Sequence, residues 1–448
     1  MRARFDYYWN IVNASFWFLP GLLILFAVMI AVLSIYLDNT PLGKWMQSSS
    51  FVYQLRPDGA RAVLSTVAGA MMTTASLVFS LTLVVLTVAT GQMGPRIIDR
   101  FMRDRLNQVV LGAFIGTFCF ALFVSITVTG GDNVSVPLFS LSLAVVAAIS
   151  SLVLLIVYVH HIARSIQSDN VISDLGNRLK EAIARTFPER TDRVEAAAPA
   201  VDEPLGRPFN VRAGLSGYIQ TIDVDGLVEL AAENNLLIEM RCRQGKYLIE
   251  PGTIARVWGR ETFEAAWGDR VRACLIMGDK RTDLEDIELA FRNVAEIAER
   301  ALSPGINDFY TPMAALDHLA DAVSTIMDRD MPERVRRDGT GLPRVLLDLP
   351  DFKQIMDVAF HDLWQCAKDN AAVLHHMIDN LTSLAGCARN ETHFAAIRAY
   401  AGLLRRSIDR YIQEPFDVER LRLQMAGFDE VLADRRKDET LPADALLQ

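Results

Sequence analysis

The feature of this sequence that most constrains its fold is a set of four apolar segments within the first 165 residues. They cover residues 16–37, 63–90, 109–129 and 137–159, and none contains Asp, Glu, Lys or Arg. A helix of about 20 apolar residues crosses the hydrocarbon core of a bilayer, and each segment reaches that length. The pattern predicts four transmembrane helices in a multi-pass α-helical domain over residues 1–165, with the lipid bilayer as its partner.

Basic residues in the short loops predict the orientation of this domain. Three Lys or Arg residues lie between the first and second segments, and none lies in residues 130–136. Six arginines lie on the other side of the membrane: Arg2, Arg4, Arg96, Arg100, Arg103 and Arg105. Because short loops rich in Lys and Arg remain in the cytoplasm, we expect both termini and all residues after 165 to be cytoplasmic.

The net charge changes sign at the end of the membrane domain. The first 165 residues carry ten Lys and Arg and six Asp and Glu, whereas the remaining residues carry 35 and 48. The net charge is therefore +4 in the first part and −13 in the second. Nucleic acid requires a basic surface, so the acidic part argues against nucleic acid as a partner.

The cytoplasmic part divides into three regions by pattern. Residues 166–208 have the pattern of an amphipathic helix followed by a linker rich in Ala, Pro and charge. Residues 209–260 alternate apolar and polar residues in short runs, which predicts a small β-rich segment folded as a barrel or sandwich. Residues 261–448 show helical spacing of apolar residues. We therefore expect an α+β cytoplasmic domain with a helical C-terminal part.

The second apolar segment carries a row of small and hydroxyl-bearing residues at alternating steps of three and four. This spacing places the row on one face of a helix, over a length of about 36 Å. Either the row packs against helices of the same subunit, or it lines the axis of a homo-oligomeric channel. In a channel, Leu83 would form a constriction, and Thr66, Thr73, Ser80 and Thr87 would lie nearest the axis. The full row is Thr66, Gly69, Thr73, Ser76, Ser80, Leu83, Thr87 and Thr90.

Small residues also recur in the third and fourth segments. Gly112 and Gly116 form a GxxxG pair, and Ser140, Ala144 and Ala148 form a row in the fourth segment. Such residues allow close approach of helices where no hydrophobic effect drives association. We expect the two sets to pack against each other within one subunit.

The segment from Ser303 to Asp308 combines residue types that suit a ligand-binding turn. Gly305 permits close approach of the backbone, and Asn307 and Asp308 offer oxygen atoms to a cation or polar ligand. Asn and Asp also cap helices and stabilise turns through nearby amides. Both interpretations remain open from the sequence, and the structural one is the more common.

Motifs for catalysis are absent from the sequence. It has no P-loop, nucleophile elbow, HExxH zinc motif or dinucleotide-binding fingerprint. His361 and His375 share a helix face, but they lie about 21 Å apart and cannot bind one metal ion. We expect no enzymatic activity, no catalytic or metal-binding residues and no cofactor. The absence of intramembrane charge also argues against ion-coupled transport, which leaves a channel, a membrane-anchored sensor of an unknown ligand or ion, or a scaffold.

Three motifs in the sequence resemble motifs of a known protein family. They are Ser216-Gly217-Tyr218, Arg281-Thr282 and the stretch from Arg300 to Asp308. Their order is similar to that in family 2254 of unknown function, a family of predicted bacterial membrane proteins with four N-terminal membrane helices. The resemblance implies a location in the bacterial inner membrane and no known activity. At Phe309 the family usually has Pro, so the following turn loses a constraint on φ.

Overall fold

The computed structural model describes residues 15–40, 56–94, 97–102, 104–128, 136–165, 167–190, 207–259, 264–282 and 286–440. The chain divides into two compact units, residues 1–170 and 171–448. The apolar segments lie in the first unit, and the strands and amphipathic helices lie in the second.

Within the described residues of the first unit, four helices are long and apolar enough to cross a membrane, which confirms the four predicted segments as candidate spans. They are α1 (Phe18–Asp38), α2 (Pro57–Met93), α4 (Arg105–Thr127) and α5 (Leu138–Ser165), with the short helix α3 (Ile97–Met102) after α2. α2 starts at a proline, which needs no amide partner at that position. Its 37 residues extend about 56 Å, beyond both ends of the predicted segment.

Helix α4 packs against α1, α2 and α5. Its two glycines face α1: a Cβ atom on Gly112 would lie 2.8 Å from Leu23 Cδ1, and one on Gly116 would lie 3.1 Å from Ala27 Cβ. The predicted packing of this GxxxG pair against the fourth segment is therefore wrong. The glycines instead allow the backbones of α1 and α4 to approach closely.

A buried carboxylate joins the end of α1 to the start of α5. Asp38 accepts hydrogen bonds from the amides of Phe139 (2.9 Å) and Ser140 (3.1 Å) and from the Ser140 hydroxyl (2.6 Å). It thereby satisfies amides that a helix N-terminus leaves without partners, and the helix dipole favours its charge there. Ser140, expected to contact the third segment, therefore contacts α1.

The second unit begins with the predicted amphipathic helix, α6 (Ser168–Thr186). One face of α6 is buried and includes Val171, Leu179 and Ile183. Gly176 also lies on this buried face. A Cβ atom there would lie 2.5 Å from His318 Nδ1, so the close contact requires glycine. Part of the predicted linker, residues 191–206, lies outside the described residues.

Among the described residues, eight strands and two helices form the β region. In order they are β1 (Phe209–Arg212), β2 (Gly217–Ile222), α7 (Val224–Glu233), β3 (Leu237–Met240), β4 (Tyr247–Leu248), β5 (Thr253–Trp258), α8 (Ala265–Ala273), β6 (Leu275–Gly278), β7 (Val335–Arg337) and β8 (Pro343–Leu346). One sheet has the order β1-β5-β3-β8-β7, and the other has the order β4-β2-β6. All neighbours are antiparallel except β3 and β8, which run parallel.

The described strands form two open sheets, so a barrel is not observed. Ile219 of β2, Ile238 of β3 and Val257 of β5 belong to one apolar core that both sheets share. Strands β6, β7 and β8 lie outside the predicted segment 209–260. That segment therefore does not contain its sheets, because β3 pairs with a strand about 100 residues further along the chain.

Six further helices are present in the described part of the second unit: α9 (Ile287–Ala301), α10 (Tyr310–Met327), α11 (Phe352–Ala367), α12 (Ala371–Cys387), α13 (Glu391–Tyr411) and α14 (Pro415–Thr440). Side-chain caps define several of their starts. Asp286 caps α9, Asp351 and Gln354 form a capping box on α11, and Asn370 and Asn390 cap α12 and α13. Local sequence therefore specifies where these helices begin.

Candidate functional site

The hydroxyl row of α2 points away from the other helices of its unit. Seven of its eight residues are exposed, and Thr90 is half-buried. Thr66, Thr73, Ser80 and Thr87 each come two residues after a buried position, which is about 200° around a helix. Packing against described helices of the same subunit is therefore not the role of this row. The buried positions of α2 are Ala60, Leu64, Ala68, Met71, Ala75, Val78, Thr82, Val85, Ala89 and Met93.

Large apolar side chains flank the hydroxyl row on both sides. Met72 and Phe79 lie on one side and are 52% and 46% exposed. Leu77 and Val84 lie on the other and are 63% and 60% exposed. The outer surface of α2 is therefore a narrow polar line between two apolar flanks.

Threonines of the row donate hydrogen bonds to their own helix. The hydroxyl of Thr66 donates to Ala62 O at 2.8 Å, that of Thr73 to Gly69 O at 2.9 Å, and that of Thr87 to Leu83 O at 2.8 Å. A hydroxyl that donates in this way keeps its lone pairs as acceptors. The row therefore presents uncharged hydrogen-bond acceptors to whatever lies against α2.

The segment from Ser303 to Asp308 is a turn between α9 and α10. The Ser303 carbonyl accepts hydrogen bonds from the amides of Ile306 and Asn307. Asp308 Oδ1 accepts from the Tyr310 amide at 2.9 Å, and Oδ2 accepts from the Thr311 hydroxyl at 2.6 Å. The Asp308 side chain therefore stabilises the start of α10, and both of its carboxylate oxygens already have partners within the turn.

The remaining features of this turn also have local explanations. Asn307 has a φ of 52°, in the left-handed region that Asn tolerates. A Cβ atom on Gly305 would have no heavy atom within 4 Å, so close backbone approach does not require this glycine. Burial would raise the pKa of Asp308, but the hydrogen bonds from Thr311 and Tyr310 lower it below its ordinary value.

A cleft of about 500 Å³ lies where the two parallel strands β3 and β8 end. The end of β3 contributes Glu239, Met240 and the following Arg241, and the residue before β4 contributes Lys246. The start of β7 and the end of β8 complete the lining with Arg334, Val335, Leu346, Leu347 and Asp348. Sequence reasoning missed this cleft because its two halves are about 90 residues apart, and neither half contains a recognisable motif.

A buried ion pair lies close to the same region. Asp286 is buried, and its Oδ2 lies 2.6 Å from Arg281 Nη2. Burial raises the pKa of Asp286, and the Leu289 amide and Arg281 oppose this change. A Cβ atom on Gly245 would lie 1.9 Å from Asp286 Oδ2, and Gly245 has a φ of 79°. The Arg281 motif thus has a structural role in holding the turn before β4 against α9.

The prediction that His361 and His375 share a helix face is wrong, because His361 lies in α11 and His375 lies in α12. His376 Nε2 lies 2.6 Å from Asp317 Oδ1, and His375 Nδ1 lies 3.3 Å from Asp379 Oδ2. Within the described ranges, no group of three or more His, Cys, Asp and Glu residues is placed to bind a metal ion.

The order of membrane helices and motifs agrees with a known family. The model of the predicted membrane protein family DUF2254 matches residues 13–383, from just before α1 into α12. The chain belongs to the DUF2254 family. The stretch from Arg300 to Asp308, which first suggested this resemblance, forms the end of α9 and the turn that precedes α10.

DUF2254 relatives extend along most of the chain. Uncharacterized proteins of Mycobacterium bovis and Mycobacterium tuberculosis are each 30% identical to it over 430 residues. These alignments cover 93% of this chain and 80% of each relative. No solved structure matches this DUF2254 chain. The family assignment therefore identifies this chain as a predicted membrane protein.

Proposed function

We propose that this DUF2254 protein forms a homo-oligomeric channel in the bacterial inner membrane, with α2 of each subunit around the axis. The carrying observation is the direction of the hydroxyl row, which points out of its own helical bundle. The exposed apolar flanks, Met72 and Phe79 on one side and Leu77 and Val84 on the other, would then pack between neighbouring copies of α2. Both termini lie in the cytoplasm in this proposal, in keeping with the six basic residues discussed above.

The chemistry of the row supports a pore of weak charge selectivity. Hydroxyl groups at Thr66, Thr73, Ser80 and Thr87 would wet the wall without placing a charge on it. Because the threonine hydroxyls donate to their own helix, they offer acceptors to water or a cation. Leu83 is the one large apolar residue of the row and would form the constriction. This function requires no enzymatic step, no cofactor and no nucleic acid.

Oxidative cross-linking in membranes tests the assembly. In a chain without its native cysteines, Thr73→Cys and Ser80→Cys should form cross-linked dimers. The matched controls Ala75→Cys and Val78→Cys lie at the same depth on the buried face of α2 and should remain monomeric on a gel. Equal cross-linking at all four positions, or none at any, would contradict the proposed interface.

Electrical recording tests the pore itself. Purified protein in a planar bilayer should conduct, and Thr73→Leu and Ser80→Leu should reduce the conductance because they remove acceptors and narrow the path. Light scattering of the same preparation should give a mass of several subunits. A monomeric mass together with a silent bilayer would remove the channel and leave the membrane-anchored sensor, which the cleft beside β3 and β8 favours.

A further inference from the structure

We propose that the cleft at the ends of β3 and β8 binds a small organic molecule that carries a phosphate group. The position of the cleft in the sheet supports this proposal. Met240 and Leu346 are the last residues of two adjacent parallel strands, and the cleft opens immediately beyond them. In open parallel α/β sheets, ligands bind beyond the carboxyl ends of the strands, and β3 and β8 form one such parallel pair within an otherwise antiparallel sheet.

The charges of the lining point to an anion. The two carboxylates of the cleft already have arginine partners: Glu239 lies 3.0 Å from Arg241 Nη1, and Asp348 lies 3.5 Å from Arg243 Nη1. By contrast, Lys246 and Arg334 have no carboxylate partner among the described residues. Lys246 contacts the Arg241 carbonyl at 3.4 Å, and Arg334 donates to the Leu349 carbonyl at 3.0 Å.

Both cations lie in an acidic part of the chain. The chain beyond residue 165 has a net charge of −13, so acidic partners are abundant. Two cations that face one cleft without such partners provide a local site for an anion. A phosphate group carries close to two negative charges and accepts several hydrogen bonds, and the guanidinium of an arginine matches its oxygens in a fork.

Size and polarity indicate that the ligand is larger than a phosphate ion. The volume of about 500 Å³ is within the range of about 300–1,000 Å³ that small-molecule sites occupy. Apolar side chains of Met240, Val335 and Leu346 line the cleft beside the cations. They offer a surface to the organic part of the ligand, while Lys246 and Arg334 hold its phosphate.

Thermal shift and calorimetry of the full chain in neutral detergent test this site. The probes are inorganic pyrophosphate, ADP and a short-chain phosphatidic acid, each compared with sodium chloride of equal ionic strength. We expect ADP or phosphatidic acid to raise the melting temperature in a saturable manner. The first result assigns a soluble ligand and the second a lipid headgroup. Pyrophosphate, which has no organic part, should bind more weakly than the better of the two.

Substitutions locate the binding. Lys246→Met and Arg334→Gln should each weaken binding about tenfold, because each removes a charged hydrogen-bond donor. Lys246→Arg and Arg334→Lys keep the charge and should retain most of the affinity. Lys353→Met and Arg420→Gln remove exposed cations near the starts of α11 and α14, and these variants should bind as the wild type does.

Two results would overturn the site. One is the absence of saturable binding by all three probes at millimolar concentration. The other is binding that Lys246→Met and Arg334→Gln leave unchanged while these variants melt at the wild-type temperature. Neither result depends on the hydroxyl row of α2, so the ligand site and the channel can fail independently.

Discussion

Single side chains stabilise the starts of helices throughout this protein. Asp38, Asp286 and Asp308 each accept backbone amides at a helix N-terminus, although the first lies in the membrane unit and the others do not. Carboxylates are favoured there because they satisfy free amides and oppose the helix dipole. Asp308 was one of the ligand candidates in its turn, and its hydrogen bonds are those of a side chain that stabilises a helix start.

Substitution of Asp308 should therefore reduce stability. Asp308→Ala removes both acceptors and should lower the free energy of unfolding by about 1 kcal/mol, as the loss of a cap does elsewhere. Asp308→Asn keeps an oxygen for the Tyr310 amide and should cost less. Ser303→Ala is the control in the same turn, because it leaves the carbonyl that accepts from Ile306 and Asn307. A wild-type melting temperature for Asp308→Ala would contradict this assignment.

His393 should make stability depend on pH. It is 7% exposed and lies 4.5 Å from the Phe352 ring, and its burial and the nearby Arg389 and Arg190 lower its pKa to about 4. Between about pH 6.5 and 4 the unfolded chain binds a proton that the folded chain does not. The free energy of unfolding should therefore fall as the pH falls through this window, by about 3 kcal/mol at most.

Denaturation at a series of pH values measures this contribution. His393→Gln should flatten the dependence between pH 6.5 and 4.5, whereas His361→Gln keeps His393 and should keep the wild-type slope. Identical slopes for the wild type and His393→Gln would show that another group carries the acid sensitivity.

At the scale of elements, the contact between α1 and α4 depends on residues without side chains. Gly112 and Gly116 lie against Pro20, Leu23 and Ala27 of α1. By contrast, α4 and α5 meet through the hydroxyls of Thr117 and Ser151, 3.4 Å apart. The same helix therefore uses small residues on one face and hydroxyls on another, and only the first requires glycine.

Gly116→Leu should separate α1 from α4. A Cβ atom on Gly116 would already lie 3.1 Å from Ala27 Cβ, so the larger side chain should push the helices apart, cost about 1–3 kcal/mol and lower the melting temperature in detergent. Gly21→Leu is the matched control, because a Cβ atom there has no neighbour within 4 Å. Equal stability of the two variants would mean that the glycine pair faces lipid.

At the scale of the whole molecule, the orientation of the membrane unit decides the compartment of residues 171–448. The positive-inside rule predicts that both termini are cytoplasmic. In a chain without native cysteines, Gly131→Cys should react with an impermeant maleimide in intact spheroplasts. Gln92→Cys should react only after lysis. The reverse pattern would place the cleft and the helices of the second unit outside the cell.

Local sequence patterns were sufficient to predict the helices that are stabilised mainly by interactions within the helix itself. Within a bilayer every backbone amide must bond inside its own helix, so length and apolar composition alone identify the four candidate spans. In the second unit, the helical spacing of apolar residues predicted a helical C-terminal part, although it did not separate α11 from α12. The motifs from Ser216 to Asp308 were likewise sufficient to recognise the family.

Tertiary structure alone decided which faces meet. The spacing of the hydroxyl row defined a face of α2, but only the packed bundle showed that this face points outward from the subunit. The GxxxG pair predicted a close helix contact without its partner, which is α1. The cleft exists because β3 pairs with β8. This pairing brings Arg241 and Lys246 into the same cleft as Arg334. Such contacts form between residues far apart in the chain, and the packing of the whole unit selects them, so no local pattern encodes them.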